Sequence, residues 1–240
     1  MKRITALLFI LKISLLSACA GSGQVLNDLL EQQANGGAKK PSEAQMVAAV
    51  REALNQGNKR AANTLGRKDG FMKNPQVHIS MPQNLRHIDK GLRAFGQGKV
   101  ADEFVLSLNR AAEAAVPLAK KVLVDAVGKM TLTDVVNIVR GPDNAATLYF
   151  RKTSEPGLRL GMLPIVANTT NRVGVTRSYK SLVQQAGPLS SMVDLKSLDI
   201  DAYVTQKTLD GLFLLIAQEE KRIRDNPVAR TTELLRLVFG

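Results

Sequence analysis

Of the 240 residues only one is a cysteine, two are histidines, none is a tryptophan, and aromatic side chains make up 4% of the chain. Each shortage excludes something. A lone thiol cannot form an intramolecular disulfide, so stability has to come from a packed apolar core, which a chain of this length can build. Scarce aromatics leave base-stacking platforms and sugar-binding surfaces poorly supplied. The Gly-x-Ser-x-Gly elbow, the P-loop and the dinucleotide fingerprint are all missing. Gly96-Gln97-Gly98 has neither a third glycine nor a preceding strand and reads as a turn. His78 and His87, with only Asp69 and Asp89 near them, fall short of a zinc ligand set. No metal and no other cofactor is expected.

What the chain does have begins at its first residues. Lys2 and Arg3 precede an apolar run from Ile4 to Leu16, broken only by Thr5, Lys12 and Ser14, and Leu16-Ser17-Ala18-Cys19 follows. A basic start, a short apolar run and small residues at a cut site make a secretory signal peptide. The run is shorter than the roughly 20 residues a span needs, and Lys12 makes spanning costlier still. Cys19 is then an ordinary signal-peptide residue, part of an uncleaved anchor, or a lipid attachment point. The last reading leads, because cysteine after Leu-Ser-Ala resembles the bacterial lipobox. That resemblance implies removal of residues 1–18, diacylglycerol on the Cys19 thiol and a palmitate-type chain on its new amine. Several acyl chains on one residue anchor firmly where one would not. Ala20 stands where such signals carry Asp for retention at the inner membrane, so the resemblance points to the outer membrane, facing the periplasm.

Loss of Lys2, Arg3 and Lys12 with the signal takes the net charge from +12 to +9. The excess is uneven. Residues 39–99 hold 12 basic and 4 acidic side chains, and residues 151–193 hold 6 and 1. Such asymmetry fits a basic face resting on anionic lipid, or long cations that simply solvate helix faces. Nucleic acid is not an expected partner, since no reading motif or aromatic interleaving accompanies the charge.

Residues 19–41 are rich in Gly, Ser, Gln, Asn and Ala and read as a flexible tether. From Ser42 to Gly240 the spacing is helical, and the expected fold is a single all-α domain of several helices broken by proline. Ser42 with Gln45 fits a capping box, and Gly66 is placed as the stop of the first helix. Val77, Ile79 and Met81 alternate in a short extended segment before helical spacing resumes through Phe95. Residues 99–128 form a long alanine-rich stretch that Pro117 should kink or split. Thr131 and Asp134 cap a short helix ending at Gly141, and Pro156 and Pro164 break the next one. Asp199 caps the last long helix, with Glu220–Arg224 and Lys221–Asp225 paired on its outer face. Asn226-Pro227 ends it, and Thr232 to Phe239 makes a final short helix.

The polar residues that stand out are Asn109, Arg110 and Glu113, set among small apolar side chains. Asn109 and Glu113 share a helix face and Arg110 reaches Glu113 at i,i+3. They form either a structural polar network between packed helices or a ligand site. No catalytic residues are expected. An enzyme would become the better reading if Glu113, Arg110 and His87 met in an open cleft.

Asp69-Gly70-Phe71, the run from Asn109 through Pro117, Leu209-Asp210-Gly211-Leu212-Phe213 and the ending Arg230 through Gly240 resemble, in this order, the bacterial domain-of-unknown-function family 4197. The resemblance covers about Ser42 to Gly240. It implies an all-helical envelope protein, often with a lipoprotein-type signal, and brings no catalytic residues. The leading expectation is a non-enzymatic envelope lipoprotein that binds a protein partner or ligand, with an apolar pocket as one form of it. A structural or assembly role at the membrane surface stands beside it, and an enzyme acting on an envelope polymer comes last.

Overall fold

The computed structural model describes residues 40–133, 135–192 and 198–240. Cys19, most of the tether and the capping role of Asp134 lie outside the described residues. Eight α-helices occur among those described: α1 Glu43–Leu65, α2 Arg86–Ala94, α3 Gly98–Lys129, α4 Val135–Arg140, α5 Ala145–Val173, α6 Val175–Ala186, α7 Ile200–Asp225 and α8 Glu233–Phe239. The four long ones pack in a ring, α1 on α3, α3 on α5, α5 on α7 and α7 on α1. Helices α2 and α6 lie against α3, and α8 against α1 and α7. No strand forms among the described residues, so the all-α expectation holds.

One continuous cluster of buried side chains fills the ring, drawing on Leu54, Leu65, Phe104, Leu108, Val116, Leu123, Phe150, Leu212 and Ile216. Buried alanines at 111, 112, 115 and 119 let the neighbours of α3 approach closely. Pro41–Gly240 is a compact unit by itself. With its own core, such a unit can fold without the residues before it. None of its helices is long and apolar enough to cross a membrane.

Helix ends follow local chemistry. Ser42 Oγ accepts the Gln45 N–H at 3.3 Å while the Ser42 N–H donates to Gln45 Oε1 at 2.9 Å, the reciprocal box read from sequence. Asp199 caps α7 through the Ala202 N–H, and Thr232 caps α8 through the Leu235 N–H. Helix α4 starts at Val135, and the Thr131 carbonyl accepts the Tyr149 hydroxyl.

Pro156 and Pro164 depart from expectation, and Pro117 does not split its helix. Pro117 sits inside the unbroken α3, and Pro156 and Pro164 inside the unbroken α5. All three lie on the solvent side. For Pro156 and Pro164 the carbonyls left without a donor, those of Lys152 and Leu160, are on exposed residues that water reaches. Burial of Leu158, Met162 and Val166 on the opposite face then outweighs the proline cost of about 3 kcal/mol.

Candidate functional site

The segment between α1 and α2, residues 66–82, has no regular structure except turns, yet it is firmly held. Asn109 treats Ile79 as a strand neighbour would. Its Oδ1 accepts the Ile79 N–H at 2.9 Å, and its Nδ2 donates to the Ile79 carbonyl at 2.8 Å and to the Val105 carbonyl at 2.8 Å. Of the alternating residues expected to form an extended segment, Val77 lies in a turn and Ile79 has a side-chain amide as its partner, and Val77, Ile79 and Met81 are all buried.

Glu113 secures the other end. Its Oε1 accepts the N–H groups of Phe71 at 3.0 Å and Met72 at 3.1 Å, and its Oε2 accepts Arg110 Nη1 at 2.5 Å. Arg110 Nη2 reaches Asp69 at 2.7 Å, and Lys73 closes on the same carboxylate at 2.9 Å. Asp69 lies in the left-handed region at φ 67°. Gly70 is required beside it, because a Cβ there would stand 2.6 Å from the carbonyl oxygens of Thr64 and Leu65. Hydrogen bonds from Lys73 and then Arg110 hold the Asp69 carboxyl below the usual range, and Glu113 followed by Asp69 raises the Arg110 guanidinium. The three residues singled out by sequence are thus brought together: Asn109 and Glu113 hydrogen-bond the backbone of this loop, and Arg110 bridges the carboxylates of Glu113 and Asp69. Arg110 and Glu113 also line an open depression of about 710 Å³ with Lys68, Glu103 and Ser178. His87 is exposed on α2, and no hydrogen bond joins it to them among the described residues.

The loop passes from α3 to α7. Tyr203 donates its hydroxyl to the Ser80 carbonyl at 2.9 Å, and Gln218 donates to Gln76 at 3.2 Å. Phe71 packs on Gly211, where an added Cβ would lie 2.9 Å from its ring. The result is a cleft of about 410 Å³ between the loop, α5 and α7. Gln76, His78, Arg151, Lys207 and Asp210 bring polar groups to it, and Val77, Leu148, Phe213, Leu214 and Ala217 bring apolar ones. His78 Nδ1 is 3.0 Å from the Met72 carbonyl. A carbonyl only accepts, so Nδ1 carries the proton, and Nε2 makes no hydrogen bond among the described residues.

Arg151 is the hub of the opposite wall. It reaches Glu155 at 2.8 Å and Asp210 at 2.6 Å, and its guanidinium stands 5.2 Å from the Phe213 ring centroid. Gln206 donates to both carboxylates, at 2.8 and 3.1 Å, and accepts from Arg159. Hydrogen bonding to Glu155 raises the Arg151 pKa, with burial opposing and Asp210 adding to the rise. For Glu155 burial acts upward, but Gln206 and Arg151 outweigh it and leave the carboxyl below its ordinary value.

A second buried carboxylate corrects the reading of α7. Lys221–Asp225 does pair on the exposed face at 2.8 Å. Glu220 instead is buried and accepts the N–H groups of Ala146 and Thr147 at 2.9 and 2.8 Å and the Thr147 hydroxyl at 2.7 Å. It caps α5 from another helix. Its partner Arg224 donates onward to the carbonyls of Val139 and Ile138, anchoring the end of α4.

Another open groove, of about 570 Å³, runs along Val122, Ala126, Met130, Tyr149 and Leu158, with Asp125 and Lys129 at its edge. Among the described residues no group of three or more His, Cys, Asp or Glu could hold a metal ion. The basic excess of residues 39–99 is partly neutralised, since Arg60, Lys73, Arg93 and Lys99 each have a carboxylate partner.

Sequence missed the cleft because Arg151, Lys207 and His78 come from three separate segments. One signal was available: glycine at 211 in a helix interior beside Asp210 marks a close approach. Compared with curated proteins and with solved structures, the chain finds no match in either set. The loop, the polar run on α3 and the Asp210-Gly211 turn of α7 meet in one place, and all lie within residues 40–240, which match a single family: the chain belongs to the proteins of unknown function of family DUF4197.

Proposed function

We propose that the protein is a lipid-anchored module of the bacterial envelope that binds a partner or ligand without transforming it, held by Cys19 at the outer membrane and facing the periplasm. The anchor rests on Leu16-Ser17-Ala18-Cys19. The observation that carries the binding role is the preorganised cleft. One wall is a loop fixed by Asn109 and Glu113, and the other is a helix pair fixed by Arg151. Polar groups among apolar walls are the usual make-up of a ligand site.

Its chemistry favours binding. Thr147 supplies the one hydroxyl among the lining residues, and that hydroxyl donates to Glu220. Asp210 is engaged by Arg151 and Gln206. The arrangement offers shape and charge without a nucleophile paired to a base. Native mass spectrometry of the protein released from its own envelope tests the reading. A co-purified molecule of constant mass supports it. Bare protein, together with turnover of an envelope polymer by the purified chain, would contradict it.

A further inference from the structure

Two features of the cleft are left unexplained by the packing around it. Leu148 is 54% and Leu214 37% exposed, so large apolar side chains from two helices stand open to water in the same depression. Beside them is Lys207, whose ammonium has no carboxylate partner among the described residues and stands 5.9 Å from the centroid of the Tyr203 ring. Arg151, by contrast, is held by two carboxylates, Glu155 and Asp210, so Lys207 is the lining cation without a carboxylate partner among the described residues. An apolar floor with an unmatched cation at its edge is complementary to a molecule with an apolar body and an anionic head.

We infer that the cleft between residues 76–78, α5 and α7 binds an anion-headed amphiphile, a carboxylate or phosphate monoester on a short hydrocarbon chain. This rests on the binding reading and names the ligand class of that site. The head lies against Lys207, and the chain covers Leu148 and Leu214. His78 Nε2 accepts a hydrogen bond from any hydroxyl or amide that the ligand carries near its head. Inorganic phosphate satisfies the head alone, and a neutral alcohol of equal length satisfies the floor alone, so neither reproduces the full interaction.

The test uses residues 40–240, which carry the whole described core, and isothermal titration with octanoate, octyl phosphate, octanol and inorganic phosphate. Octanoate and octyl phosphate bind at least tenfold more tightly than octanol or phosphate. Lys207→Gln, on an exposed side chain, lowers the affinity for octanoate about tenfold and leaves that for octanol unchanged. Lys152→Gln, a neighbouring lysine that does not line the cleft, changes neither. Octanol equal to octanoate would remove the role of the head and overturn the proposal while leaving a binding cleft. Phosphate equal to octyl phosphate would make the site one for the free anion and overturn it equally. Absence of binding by all four overturns it as well, and a co-purified molecule from the envelope then decides the broader reading separately.

Discussion

Glu113 accepts the backbone N–H of Phe71 at 3.0 Å, joining the middle of α3 to a turn more than forty residues earlier. The same carboxylate takes the Met72 N–H and the Arg110 guanidinium. Only 6% of its side chain is exposed. Glu113→Ala therefore strands two backbone donors and halves the pairing of Arg110. Removing one member of a buried pair costs about 3–5 kcal/mol, and because Arg110 keeps Asp69 and some water the lower end applies. Urea unfolding should show that loss with an unchanged slope, and an unaltered midpoint would count against a structural role.

Gly211 and Phe71 make a second, sharper test. Phe71 is fully buried, and a methyl group at 211 would stand 2.9 Å from its ring and 3.3 Å from Val77 Cβ. Overpacking of this kind costs about 1–3 kcal/mol. Gly211→Ala should lower the melting temperature and disturb the amide resonances of residues 71–79 more than those of α7 itself. Perturbation confined to α7 would mean that the loop is not seated on it.

Acid should loosen the wall of the cleft. The Glu155 carboxyl lies below its ordinary 4.5 because Gln206 and Arg151 stabilise the charged form beyond what burial opposes. A depressed native pKa contributes stability that is present above the unfolded value and lost as the pH falls through the native one. Thermal stability should decline below about pH 4.5, and Glu155→Gln, less stable at pH 7, should decline less steeply. Parallel curves for the two proteins from pH 6 to 3 would remove Glu155 from the account.

Helix ends were legible because their chemistry is local. Ser42, Asp199 and Thr232 each act within three residues of themselves, and the sequence states them directly. The Asn109-Arg110-Glu113 cluster was legible as a cluster for the same reason. Its main partners, Ile79, Phe71 and Asp69, were not, since they lie 30 to 42 residues away. Glu220 was read on the outer face because i,i+4 pairing with Arg224 looks the same on either side of a helix. Pro156 and Pro164 misled because the cost of a lost hydrogen bond is visible locally, whereas the core that outweighs it is not.

Anchoring is tested at Cys19. Labelling of growing cells with a fatty-acid analogue should mark the wild-type protein, and Cys19→Ser should abolish the label and leave the chain unprocessed or outside the membrane fraction. Equal labelling of both proteins would refute the lipid anchor.

The most direct measurement of the binding claim is an amide NMR spectrum of residues 40–240 before and after adding the small-molecule extract of the envelope. Shifts should concentrate at residues 76–78, 147–151 and 207–217, the three segments that meet in the cleft. An unchanged spectrum, or shifts scattered away from those segments, would contradict it.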